Sequence, residues 1–175
     1  LEDRVSIQEC PFDRLNCIPG PPYEAVFSNL GGLNCIPDLS PVIQQLHHVL
    51  RPGGVVTWVL MPPICLWELA EIFRGHPRLA FRRLTKHGTR AHLEGFYFSV
   101  YYFTPQAVID RFGPGYRCLA LEGLSVLTPT AESKTFARRY PRLYRLLAWL
   151  DDRLCRRPPW YGWGDFYILT MQSLA

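Results

Sequence analysis

Between clusters of proline and glycine, the apolar positions of this chain switch from strand-like to helix-like spacing and back. Residues 5–8 form a short strand candidate, and Ala25-Val26-Phe27 centres a second at residues 24–28. Asp38-Leu39-Ser40-Pro41 then opens a helix. Ser40 is the expected cap, and Pro41 takes the first helical position, where its missing N–H costs nothing. Val42, Ile43, Leu46, Val49 and Leu50 follow at helical spacing and predict one apolar face. Arg51-Pro52-Gly53-Gly54 is a helix-ending turn. Directly after it, Val55-Val56-Thr57-Trp58-Val59-Leu60-Met61 does not alternate apolar with polar, so it reads as a strand covered on both faces. Two strands, a helix, a turn and a buried strand make the order of a doubly wound α/β domain.

Beyond Met61 the pattern loosens. Residues 66–73 read as helix, residues 74–92 as a polar, arginine-rich stretch, and residues 96–103 as the aromatic run Phe-Tyr-Phe-Ser-Val-Tyr-Tyr-Phe. Thr104-Pro105 caps a helix through Phe112, which Gly113-Pro114-Gly115 stops. A strand lies within residues 116–127 and a last one at residues 165–171. Between them, residues 136–155 are mostly helical around Pro141. Leu143, Leu146, Leu147, Leu150 and Leu154 share one face, with Arg142, Arg145, Arg153 and Arg156 away from it, so the leucine face is expected to pack on the sheet.

At 175 residues, 48% hydrophobic and 19% charged, the chain has the make-up of one globular domain and not of a disordered tail. No stretch approaches the roughly 18 uninterrupted apolar residues of a membrane span. Net charge is +4, with Lys86 and Lys134 the only lysines among 19 basic residues. That mild bias is not the concentrated basic stripe of a nucleic-acid binder, so no nucleic-acid partner is expected. Cys10, Cys17, Cys35, Cys65, Cys118 and Cys155 form no CxxC pair and no zinc-finger spacing with histidine, and His87 and His92 lack a third ligand. Free thiols, a cytoplasmic location and no metal site are the expectations. The chain opens at Leu1 and its first methionine is Met61, which suggests a piece of a longer protein.

The segment Tyr23-Glu24-Ala25-Val26-Phe27-Ser28-Asn29-Leu30-Gly31-Gly32-Leu33-Asn34, followed by a helix and Leu50-Arg51-Pro52-Gly53-Gly54, resembles the second half of a class I S-adenosylmethionine-dependent methyltransferase. The resemblance implies a Rossmann-like α/β sheet, strands three to seven with flanking helices, as the C-terminal part of a single domain over residues 1–175. It also implies an aromatic and arginine-rich insertion at about residues 62–103. Residues 5–13 resemble the third strand and its adenine-side loop, while residues 116–127 and 165–171 resemble the last two strands, the antiparallel edge. The family's glycine-rich cofactor loop has no counterpart in this sequence, nor has the acidic residue that holds the ribose hydroxyls; Gly31-Gly32 follows the wrong strand. Where the family has an acidic then a small residue after strand three, this chain reads Glu9-Cys10-Pro11-Phe12-Asp13.

Carried onto these positions, the resemblance implies S-adenosylmethionine as cofactor, with Cys10, Pro11, Phe12, Asp13, Ser28, Asn29 and Leu30 on its side of the site. The alternative for Ser28 and Asn29 is a strand-end loop that satisfies its own backbone. Trp67, Phe96, Tyr97, Tyr101 and Tyr102 are the candidate walls for a small-molecule acceptor, against a role in core or interface. Glu68, acidic beside a tryptophan, is the candidate base, against an ordinary helix-surface carboxylate. His47 and His48 at a helix end read as structural. Gly20-Pro21-Pro22-Tyr23 is similar to the Asp/Asn-Pro-Pro-aromatic loop of nucleic-acid amino-methyltransferases, but it precedes the strand that such a loop must follow. The expected activity is methyl transfer to a small molecule; the alternative is a catalytically inactive methyltransferase-like fragment serving as a binding or partner module. A sheet face left bare by such a fragment is expected to be covered by self-association.

Overall fold

The structure, a computed structural model, describes residues 5–20, 22–85, 87–131, 133 and 135–174; Pro21, Lys86 and Lys134 lie outside them. In chain order the elements are β1 Tyr23–Ser28, α1 Ser40–Val49, β2 Leu50–Leu60, α2 Leu66–Leu69, α3 Pro77–Ala80, β3 Thr89–Leu93, β4 Phe96–Val100, α4 Pro105–Phe112, β5 Tyr116–Leu124, α5 Phe136–Arg139, α6 Pro141–Leu154 and β6 Phe166–Ser173. The main sheet has the order β1-β2-β6-β5. β1 and β2 are parallel, while β6 runs antiparallel to both β2 and β5, the antiparallel edge that the sequence implied.

The pairing register decides which side chains form the core. Val56 faces Met171, Trp58 faces Leu169 and Leu60 faces Tyr167, so these six share one face of the sheet. On that face they pack with Val42, Ile43 and Leu46 of α1 and with Val108 and Phe112 of α4, and the rings of Trp58 and Phe112 lie 4.9 Å apart. α4 starts as its sequence predicts: Thr104 Oγ1 accepts the Ala107 N–H. The opposite face carries Ala25, Phe27, Val55 and Thr57, and Phe27 is 65% exposed. The two-faced burial expected of β2 therefore holds for Val59 but not for Val55 and Thr57, which stay half-buried.

Several expectations change. Residues 5–8 are not a strand; Ile7 is 96% exposed, because no described strand lies beside the segment to take its backbone hydrogen bonds. The main sheet therefore begins at β1 and has four strands. Ser40 does not cap α1 as its N-cap; it donates to Asp38 Oδ1 through both its N–H (3.0 Å) and its hydroxyl (2.8 Å). Arg51 to Gly54 bulge within β2, opposite the step from Tyr23 to Ala25. The arginine-rich stretch supplies β3, which pairs with β4 across a Glu94-Gly95 turn whose residues both have positive φ, the signature of a tight hairpin. Finally, α6 fully buries none of its residues: Leu147, Leu150 and Leu154 are half-buried, while Leu143 and Leu146 face solvent.

Candidate functional site

β1 ends in a tightly turned loop. Leu30 has φ +51° and Gly31 φ +71°, two consecutive left-handed residues, and only the glycine takes that conformation without steric cost. Asn29 Oδ1 accepts the Leu30 N–H at 2.8 Å, and the Gly31 N–H donates to the Val59 carbonyl at 3.1 Å, which fastens the loop to β2. A Cβ on Gly31 would lie 3.0 Å from Met61 Cε and 3.3 Å from a ring carbon of Phe166. The loop thus touches the residue after β2 and the first residue of β6.

Asn34 locks this junction. Its side chain is fully buried, donates to the carbonyls of Met61 (3.2 Å) and Tyr101 (2.6 Å), and accepts the Met61 N–H at 3.0 Å. The Tyr101 N–H returns a bond to the Asn34 carbonyl at 2.7 Å. One amide therefore joins the loop after β1, the exit of β2 and the exit of β4.

A pocket of about 500 Å³ opens at the carboxyl end of β2 and the amino end of β6. Met61, Trp67, Leu79 and Phe166 supply apolar wall, and Thr130, Ala131 and Ser133 line it from the segment after β5. Its polar wall is an ion-pair network. Arg82 grips both oxygens of Glu68 (2.8 and 2.7 Å), and Arg83 donates to Glu68 Oε1 from Nε (2.8 Å) and Nη2 (2.6 Å). Arg83 also reaches Asp165, at the carbonyl (2.8 Å) and at Oδ1 (2.7 Å). Burial alone would raise the Glu68 carboxyl, but the hydrogen bonds and charges of Arg82 and Arg83 hold it below the ordinary carboxylate value. At the rim, hydrogen bonds from His76 and Arg74 lower Glu71. Cys65, Glu68 and Asp165 hold ligand-type atoms within 4.8 Å of one another, yet their cation is already present as the Arg83 guanidinium. Burial raises the Cys65 thiol.

The structure brings together some of the residues singled out by sequence and separates others. Trp67 and Glu68 both line the pocket, with Trp67 Nε1 donating to the Leu127 carbonyl at 3.0 Å. Phe96 and Tyr97 lie instead on the exposed β3–β4 hairpin, where Arg90 stacks on Tyr97 at 4.1 Å. Tyr101 packs against the core, and Tyr102 lies under Arg83 at 5.5 Å. Ser28 is half-buried at the end of β1, while Asn29 and Leu30 are exposed beyond it. Pro11, Phe12 and Asp13 line a second depression, of about 430 Å³, together with Ile36, Pro37 and Asp38 at the approach to α1. The Cys10 thiol beside it is turned to the Arg14 carbonyl at 3.2 Å. Asn34, Arg82, Arg83 and Asp165 escaped the sequence reading: a double arginine in a polar stretch gives no sign of burial.

No protein-family model and no curated protein sequence matches the chain. Solved structures do. A Listeria monocytogenes protein described as an S-adenosylmethionine-dependent methyltransferase superimposes with a TM-score of 0.56 at 12% identity, over 98% of this chain and 72% of its own. An S-adenosylmethionine-dependent methyltransferase from Mesorhizobium loti gives 0.51 at 15% identity, over 94% and 68%. The fold is that of class I S-adenosylmethionine-dependent methyltransferases. In this methyltransferase fold, as in other open α/β sheets, ligands bind in the crevice beyond the carboxyl ends of the parallel strands. Here those ends are the Ser28–Gly31 loop and Met61, which adjoin the pocket.

Proposed function

We propose that this chain is the acceptor-binding part of an S-adenosylmethionine-dependent methyltransferase that modifies a small molecule. The observation that carries the reading is the pocket's place, at the carboxyl end of β2, where its lining residues Met61 and Phe166 lie next to the left-handed loop that ends β1. Backbone held in such sparsely populated regions clusters at ligand sites. A volume of about 500 Å³ suits a small-molecule acceptor.

Two features fit the implied cofactor. At Gly31 the absent side chain lets the strand-end loop pack closely on Met61, Asn34 and Phe166, and Ser28 and Asn29 add polar atoms at the end of β1. The depression beside Phe12 combines apolar walls with the carboxylate of Asp13, a set suited to a purine and its polar edge. Ser28, Asn29 and Leu30 would hold the sulfonium side, and Cys10, Pro11, Phe12 and Asp13 the adenine side. When bound, S-adenosylmethionine supplies a methyl group already activated for in-line displacement. The chain's own part is alignment and exclusion of water by Met61, Trp67 and Phe166. Glu68, engaged by two guanidiniums, serves to position Arg82 and Arg83; a carboxylate so held is a poor proton acceptor.

Titration calorimetry of the purified chain with S-adenosylmethionine and S-adenosylhomocysteine tests this. Saturable binding that Gly31→Val abolishes is the expected result. A folded chain that binds neither compound overturns the enzymatic reading for this chain and leaves the second one, a catalytically silent partner module. The bare sheet face around Phe27 favours that alternative.

A further inference from the structure

α6 is the longest helix among the described residues, yet its inner side only half-buries Leu147, Ala148, Leu150 and Leu154. Its outer side is not an ordinary solvated face. Arg142, Arg145, Leu146, Trp149 and Arg153 are all exposed, and their spacing of three, four, seven and eleven residues places them on one stripe. Trp149 is 51% and Leu146 52% exposed, and the Arg153 guanidinium lies 3.6 Å from the Trp149 ring centroid. Tyr140 and Leu143 extend the exposed apolar area toward α5.

Charge is concentrated in the same place. Residues 136–157 hold seven arginines and two aspartates, net +5, in a chain of net +4, so everything else together carries −1. Of the two aspartates, Asp151 is turned inward and accepts the N–H groups of Leu127 (2.7 Å) and Thr128 (2.9 Å). Asp152 is exposed and Arg156 is paired with Glu122 at 2.8 Å, so the outward field is positive through the arginines that remain.

We infer that α5 and α6 dock this protein on the surface of an anionic phospholipid bilayer. Trp149 and Leu146 enter the headgroup and acyl boundary, while Arg142, Arg145 and Arg153 meet lipid phosphates. A phosphate backbone of nucleic acid would use the arginines but would leave Leu143 and Leu146 in water, whereas the bilayer boundary takes both kinds of group. The surface is also fastened to the pocket: Phe136 meets Trp67 edge-on at 5.4 Å, and Asp151 holds the segment after β5 that leads to Thr130. The inference does not depend on the methyltransferase reading.

The test is cosedimentation of the whole chain with vesicles of phosphatidylcholine alone and of phosphatidylcholine mixed with phosphatidylserine, at low and high salt. Binding to the anionic vesicles only, lost at high salt, is expected. The double substitution Arg142→Gln/Arg145→Gln should weaken it roughly 30-fold, from about fivefold per arginine near an anionic surface. Leu146→Ser/Trp149→Ala should weaken it too, with the fold retained by circular dichroism because about half of each side chain already faces solvent. Absence of vesicle binding, or binding by both variants that equals wild type, overturns the inference. Salt-sensitive binding to single-stranded RNA without vesicle binding also overturns it and assigns the surface to nucleic acid. Failure of cofactor binding in calorimetry leaves this outcome untouched, so the two readings fail separately.

Discussion

Arg83 Nη2 lies 2.6 Å from Glu68 Oε1 and 2.7 Å from Asp165 Oδ1, so one buried guanidinium ties the segment after β2 to the residue that precedes β6. Removing it leaves Asp165 without its ion-pair partner and Glu68 held by Arg82 alone. Arg83→Met should therefore destabilise the fold by about 3–5 kcal/mol, whereas Arg82→Met, which breaks a pair open to solvent on one side, should cost roughly 1 kcal/mol or less. Urea denaturation of the two variants measures the contrast, and equal losses would contradict the central place given to Arg83.

The depressed Glu68 carboxyl has a pH consequence. A folded-state value below the unfolded one contributes stability that is present above the unfolded carboxylate range and is lost as pH falls through the lower folded value. Wild type should thus lose stability in acid more steeply than Glu68→Gln, with the gap between them largest near neutrality. Melting temperatures across that range report it. In an active preparation, the same ionisation predicts no rate rise assignable to a Glu68 titration near neutral pH.

Asn34→Ala removes three hydrogen bonds at the exits of β2 and β4 and leaves the Met61 N–H without its acceptor. A cost of about 2–4 kcal/mol is expected, since each stranded buried group costs about 1–3 kcal/mol. Amide hydrogen exchange should show the loss of protection concentrated at Met61 and Tyr101; a uniform change would mean that the clamp is not local.

Tyr167 predicts the opposite sign. Its ring is in the core between β6 and the helices, its hydroxyl is buried with no hydrogen-bond partner among the described residues, and burial pushes its ionisation far up. Tyr167→Phe should be neutral or stabilising by about 1 kcal/mol. A clear destabilisation in thermal melts would reveal a hydrogen bond that this arrangement lacks.

Gly31→Ala places a side chain at φ +71° and 3.0 Å from Met61 Cε. The left-handed conformation costs about 1–2 kcal/mol. If the loop lines the cofactor site, affinity for S-adenosylhomocysteine should fall by more than stability does, which calorimetry and melting compare directly.

What the sequence determined by itself was whatever depends on near neighbours along the chain. The apolar period of α1, the Thr104 cap of α4, the non-alternating run of β2 and the last strand were legible because each element's pattern lies within its own few residues. Tertiary structure decided what depends on a partner far away in sequence. Residues 5–8 have a strand's composition but no described strand to pair with, and Phe96 and Tyr97 were carried away from the pocket by pairing with a β3 that the arginine-rich stretch concealed. Arg83 and Asn34 became internal because carboxylates and carbonyls from 15 to 82 positions away converge on them. α6 shows the same limit in reverse: its leucines and arginines predicted an inner and an outer face, but only packing could leave Leu146 and Trp149 among the arginines in solvent. Periodicity specifies which residues share a side; what that side meets is set by contacts the local pattern does not contain.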